Sequence, residues 1–153
     1  MSDFLAGKSV RKIVEGIEVN RASALPPQTD TANLFRVVGG RVLLKQILGE
    51  VTTAIGNVAN NTRLSFNPDD AAAGNICANA DIDNDAIGTV YGITGTVATA
   101  LQKSTNVLVG QAAAHILKPG TIDLICAGNS GTGAIKWTVI YVPIDDGAYI
   151  EVA

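Results

Sequence analysis

Histidine, cysteine and charge are all scarce in this chain, and each shortage removes a class of function. One histidine among 153 residues, His115, rules out a metal site built from several imidazoles. A histidine-dependent nucleophile would need Ser or Cys placed beside that one ring. The two cysteines, Cys77 and Cys126, form neither a C-x-x-C pair nor a dense disulfide framework. Cys126 falls on the apolar side of a strand pattern, where free cysteine behaves as a small hydrophobe, so two free thiols are expected. Charged residues make up 16% of the chain, against roughly 25% in ordinary soluble domains. With a net charge of −3 and a pI near 5.0, no basic footprint for nucleic acid exists. No apolar run approaches the length of about 18 residues that a membrane helix needs. Met1-Ser2-Asp3-Phe4 lacks the basic region that opens a signal peptide, so the product is expected to stay where it is made, without a membrane partner.

What the chain has in abundance is β-forming residues and turns. Val, Ile and Thr supply 43 residues and Gly another 16, a mixture that favours strands joined by tight turns. In the C-terminal third, Ile122, Leu124 and Cys126 alternate with Thr121, Asp123 and Ile125. Ile135, Trp137, Val139 and Tyr141 alternate with Lys136, Thr138, Ile140 and Val142. The Gly128–Gly133 turn between these runs predicts a hairpin. A second hairpin is predicted from a strand over 34–38, the Gly39-Gly40 turn and a strand over 41–54. Shorter strands are expected at 62–66, 76–82, 89–93, 97–101, 107–109, 113–117 and 148–152. Turns recur roughly every 8–12 residues and no strand-helix-strand alternation is visible, which predicts an all-β chain, a jelly-roll-like antiparallel β-sandwich with an N-terminal arm.

The arm and its Pro26-Pro27 linker are assigned to residues 1–30 and the sandwich domain to 31–153. Val10, Ile13, Val14 and Ile17 share one helical face, with Lys8, Arg11, Lys12, Glu15 and Glu18 elsewhere. Gly16 interrupts this pattern, and Ile13, Ile17 and Val19 suit a strand equally well, so both conformations stay open. Lys8, Val10, Arg11, Lys12, Ile13 and Ile17 are the candidate partner-binding residues, since a linker that holds a basic, apolar-striped segment away from the body suits docking.

Three further constellations resemble chemical sites, and each departs from its template. Asp81, Asp83 and Asp85 alternate like the start of a calcium loop, but Ala86 stands where the EF-hand needs glycine and Gly92 where it needs glutamate. Gly128-Asn129-Ser130-Gly131-Thr132-Gly133 has the outer glycine spacing of a phosphate loop, yet Lys136 arrives too late and no helix follows. Asp145-Asp146, with Asp123 and Glu151 nearby in sequence, would suit a carboxylate pair, but Asp-Asp-Gly is ordinary turn composition. The expectation is a non-enzymatic protein with no catalytic residue, no metal and no cofactor.

The run from Leu34 to Ile55, with Lys118-Pro119-Gly120-Thr121-Ile122 and the segment from Lys136-Trp137 to Pro143, resembles capsid decoration, or cement, proteins of tailed bacteriophages. That resemblance implies a compact β-module that forms a homotrimer on the outer capsid, contacts the major capsid protein and clamps neighbours with terminal arms. It carries no catalytic residues. A tail or fibre-base β-module and a carbohydrate-binding sandwich are the alternatives.

Overall fold

In the computed structural model, residues 6–153 are described, and the side chain of Lys8 lies outside that description. Helix α1 (Gly7–Val14) precedes twelve strands: β1 (Ile17–Asn20), β2 (Thr31–Val38), β3 (Val42–Thr53), β4 (Asn61–Pro68), β5 (Gly74–Asn75), β6 (Ala80–Asp81), β7 (Val90–Gly92), β8 (Gln102–Ser104), β9 (His115–Leu117), β10 (Gly120–Cys126), β11 (Ala134–Pro143) and β12 (Tyr149–Val152). They form two antiparallel sheets packed face to face. The front sheet runs β1-β11-β3-β7-β8, with β9 also on β3; the back sheet runs β12-β2-β10-β4-β5, with β6 also on β4. The chain is therefore an all-β sandwich, as its composition and periodicity predict.

The long strands do not form hairpins. β2 lies in the back sheet and β3 in the front sheet, and likewise β10 lies in the back and β11 in the front. Both predicted hairpins are thus corners that carry the chain from one sheet to the other. Period-two alternation is the same in either case, because it reports only that one side of each strand is buried. The first corner depends on glycine: Gly39 has φ 80°, and a Cβ there would stand 2.6 Å from the Gly147 carbonyl oxygen. Arg41 closes the same corner by donating to Asp145 from its main-chain N–H at 2.8 Å and from its guanidinium at 2.9 and 2.7 Å.

Leu34 and Phe35 are adjacent yet both buried, because Ile122 faces Phe35 while Asp123 faces Asn33, leaving Leu34 as the extra residue of a bulge. In the front sheet, Trp137, Gly49 and Tyr91 lie in one inward row. The indole sits over Gly49 and stacks with Tyr91 at 6.2 Å between ring centroids. A Cβ on Gly49 would meet three indole carbons at 2.8, 2.9 and 2.9 Å. Gly49→Ala is expected to cost about 1–3 kcal/mol through overpacking, read as a lower urea midpoint with a displaced Trp137 emission. A wild-type midpoint would show that the indole has room to move.

Two sequence expectations change here. The segments 97–101 and 107–109 are not strands, and Val97, Val107 and Val109 are exposed; short apolar runs without a ladder partner stay as loops. The arm also ends earlier than residue 30. β1 pairs with β11, Arg21 and Ala24 donate main-chain hydrogen bonds to Trp137 and Ile135, and Cys126 donates to Asp30. The sandwich begins at Ile17, and the stretch through Pro26-Pro27 is part of its edge.

Candidate interaction surface

Register fixes which side chains face outward, and the two outer faces differ. On the back sheet, Thr31, Asn33, Arg36, Arg63, Ser65, Asn67, Thr121, Asp123 and Glu151 turn outward, with Val38, Tyr149 and Ile125 as the apolar members. Polar partners knit much of this face together. Arg36 reaches both oxygens of Asp69 at 3.1 and 2.9 Å, Lys118 pairs with Asp70 at 2.6 Å, and Arg63 donates to Asn75 and Asn79 at 3.0 and 3.2 Å. The face is polar, with Ser65, Thr121 and Asp123 covered at its centre and the ion pairs towards its margins.

The front sheet is mixed, with a larger apolar share than the back. Val142, Leu43 and Ile116 form one outward row across β11, β3 and β9. Ile140, Leu48 and Val90 stand in the next three rows, each beside polar neighbours: Glu18 and Gln46, Asn20 and Thr138, and Lys136 and Glu50 respectively. Two hollows lie on this face. One, of about 320 Å³, separates α1 from the sheet and is lined by Arg11, Lys12, Glu15, Glu18, Asn20 and Ile140. The other, of about 390 Å³, continues across Glu18, Leu48, Glu50, Val90, Lys136 and Ile140. At the far margin, Leu108 packs over Gly92, and the Gln111 N–H donates to Gln46 Oε1 at 3.0 Å. The loop around Leu108 thus forms a second wall, with Val107 80% and Val109 70% exposed beside it.

Helix α1 lies along the first wall. Gly16, at φ 115°, separates it from β1, so the helical and strand patterns of this segment are both realised, one after the other. Arg11 and Lys12 line the hollow, whereas Ile13 and Val14 are 72% and 70% exposed and Val10 is exposed as well. An amphipathic helix that packed for its own stability would bury that stripe. Here the charged side faces the body and the apolar side faces outward. Among the candidate arm residues, Ile17 pairs with Tyr141 and is partly buried against the core, whereas Val10, Arg11, Lys12 and Ile13 lie on α1, where Val14 is exposed beside them.

The remaining candidate groups are committed to the fold. Asp81 Oδ1 accepts the main-chain N–H groups of Asn60 and Asp83, which hold its carboxyl below the usual range. Asp85 accepts the Tyr91 hydroxyl at 2.7 Å and the Lys103 ammonium at 2.9 Å, so a lysine supplies the positive charge at this carboxylate. Burial and Asp85 together push the Tyr91 phenol up. In the glycine-rich loop, the Gly128 N–H donates to Asn60 Oδ1 and the Gly131 N–H to Gln28 Oε1, so amides that a phosphate would need are engaged inside the protein. Arg41 holds Asp145 down to about 2, and β2 lies between the strands bearing Asp123 and Glu151; these carboxylates do not converge. His115 sits in the row of Leu44 and Tyr141, where burial lowers its pKa. Cys77 and Cys126 are free and buried, and burial raises both thiols. Among the described residues, no group of three His, Cys, Asp or Glu side chains could hold a metal ion, and no helix is long and apolar enough to cross a membrane.

Asp123 stands apart: only 6% exposed, with Oδ1 unpartnered and its pKa raised by burial. A raised carboxyl pKa means that the fold favours the protonated form. Its contribution to stability is complete below the unfolded pKa and is lost as pH rises through the folded one. Asp123→Asn is therefore expected to raise the melting temperature near neutral pH by a few degrees, about 1 kcal/mol, with the gain shrinking towards acid pH. A variant less stable than wild type at every pH would contradict this account.

Fold and surface together define an antiparallel β-sandwich whose two outer faces differ in their polar and apolar make-up. No family model, curated protein or solved structure matches the chain.

Proposed function

We propose that this protein is a non-enzymatic virion structural component that binds the outer capsid of a tailed phage and stabilises the head by bridging capsid subunits. The observation that supports this reading most is the asymmetry of the sandwich: a polar back face, and a front face with an apolar row, two hollows and a helix whose apolar stripe points outward. Such a surface suits broad contact with a protein neighbour better than selection of a small molecule. A ligand that binds only the assembled shell stabilises that shell by mass action, and several linked copies gain avidity when they engage neighbouring sites together. A homotrimer on the major capsid protein is the arrangement we favour.

Rebinding to capsids stripped of the protein tests the reading. The full chain is expected to rebind and to raise the shell's melting temperature, and a chain lacking residues 1–15 to bind at least tenfold more weakly. Substituting Arg11 and Lys12 should weaken binding more at low than at high salt. Absence of the protein from purified heads would overturn the assignment, and undiminished binding by the truncated chain would remove the arm from it.

A further inference from the structure

We infer that the front-sheet groove is the receptor for helix α1 of a second copy of this chain, so that copies are joined by exchanging their N-terminal helices. The geometry of both halves is present in one molecule. At 3.6 residues per turn, Val10, Ile13 and Val14 project from one side of α1, Arg11 flanks them, and Lys12 lies opposite. The groove offers Leu48, Val90 and Ile140 as apolar ground, and its charged lining is Glu18, Glu50 and Lys136, two acidic groups to one basic, with Glu18 the acidic group away from Lys136. No ion pair among the described residues uses Arg11, Lys12, Glu18 or Glu50.

The dimensions agree. An eight-residue helix is about 12 Å long, and a groove crossing β1, β11, β3 and β7 spans three strand spacings, about 14 Å. A helix seated there buries its stripe against the apolar side chains and carries Arg11 to the acidic ones. Its own sheet cannot receive the stripe in the observed arrangement, because α1 faces that sheet with Arg11, Lys12 and Glu15. A second molecule satisfies both surfaces at once, and the contact is heterologous within each pair of elements, helix to sheet. It closes as a reciprocal dimer or as a ring of three. The inference rests on the front face being the contact face of the proposed cement protein, and its test contains no capsid, so the two readings fail separately.

Two full-length variants provide the test: Ile13→Cys and Leu48→Cys, purified reduced and mixed under mild oxidation. The native thiols of Cys77 and Cys126 are buried and give little background. A disulfide-linked species is expected in the mixture and not in either variant alone, since each new thiol then meets its partner only across two chains. Sedimentation of the unmodified protein at micromolar concentration should show an oligomer, and Ile13→Asp should raise its dissociation constant at least tenfold with the melting temperature of the body unchanged. A monomeric wild-type protein would overturn the inference. So would linking of Ile13→Cys to itself, which places helix on helix, or an oligomer that Ile13→Asp leaves intact.

Discussion

Asn60→Ala is expected to be among the most damaging single substitutions in this protein. Asn60 is fully buried where the two sheets are joined at one end of the sandwich. Its Oδ1 accepts the Gly128 N–H at 3.0 Å and the Thr62 hydroxyl at 3.3 Å, and its Nδ2 donates to Ser130 Oγ at 2.9 Å. Alanine leaves the Gly128 amide without that acceptor and Ser130 without that donor, in a place closed to solvent. Each buried group left unsatisfied costs about 1–3 kcal/mol, so a loss of roughly 3–5 kcal/mol follows. In a domain of this size that corresponds to a melting temperature lower by roughly 10 °C. Asn60→Asp should recover little, because it exchanges the donor to Ser130 for a buried charge. Thermal unfolding followed by circular dichroism decides the matter; a shift below about 2 °C would mean that the corner at Gly128 holds without Asn60.

Two truncations are expected to behave in opposite ways. Removing residues 1–15 takes away α1 and leaves β1 in place, so the body should keep its melting temperature to within about 2 °C, the scale of a small surface change. Removing residues 1–25 deletes β1, the Arg21 and Ala24 main-chain bonds, and the cover that Ile17 and Val19 provide over the front-sheet core. These two side chains are partly buried, so each contributes at most about 1.5–3 kcal/mol, and β11 would also become a ten-residue exposed edge. The longer truncation should melt far lower and aggregate on concentration. Equal stability of the two would show that β1 is an ornament of the sheet rather than one of its members.

How far the sequence reveals this fold depends on whether the signal is local. Ile122, Leu124 and Cys126 announce their buried side because alternation is written within one strand, and the all-β class follows directly. Which sheet a strand joins is set by partners far along the chain, as when Val139 pairs with both Val19 and Ile47, and two glycines in a row mark a change of direction without saying whether it stays in the sheet. The arm shows the same divide. Val10, Ile13 and Val14 are legible as a stripe, while Ile17 extends the same spacing and yet turns inward, because Gly16 ends the helix first. The groove is illegible for a different reason: Glu18, the Leu48 and Glu50 pair, and Val90 lie on three separate strands, and only the register that aligns β1, β11, β3 and β7 makes them neighbours. Asn60 gave no signal either, since its importance lies in neighbours dozens of residues away.

The alternation of long strands between the sheets also sets a timetable. β3 is made early but lies beside β11, with Glu50 opposite Lys136 and Val42 opposite Pro143. During synthesis the centre of the front sheet must wait for β11, as must β1, which pairs with no other strand among the described residues. Contacts this distant in sequence belong to the slow end of folding, milliseconds to seconds rather than microseconds. The platform beside α1 thus comes into being only once β11 has left the ribosome, long after α1 itself has emerged.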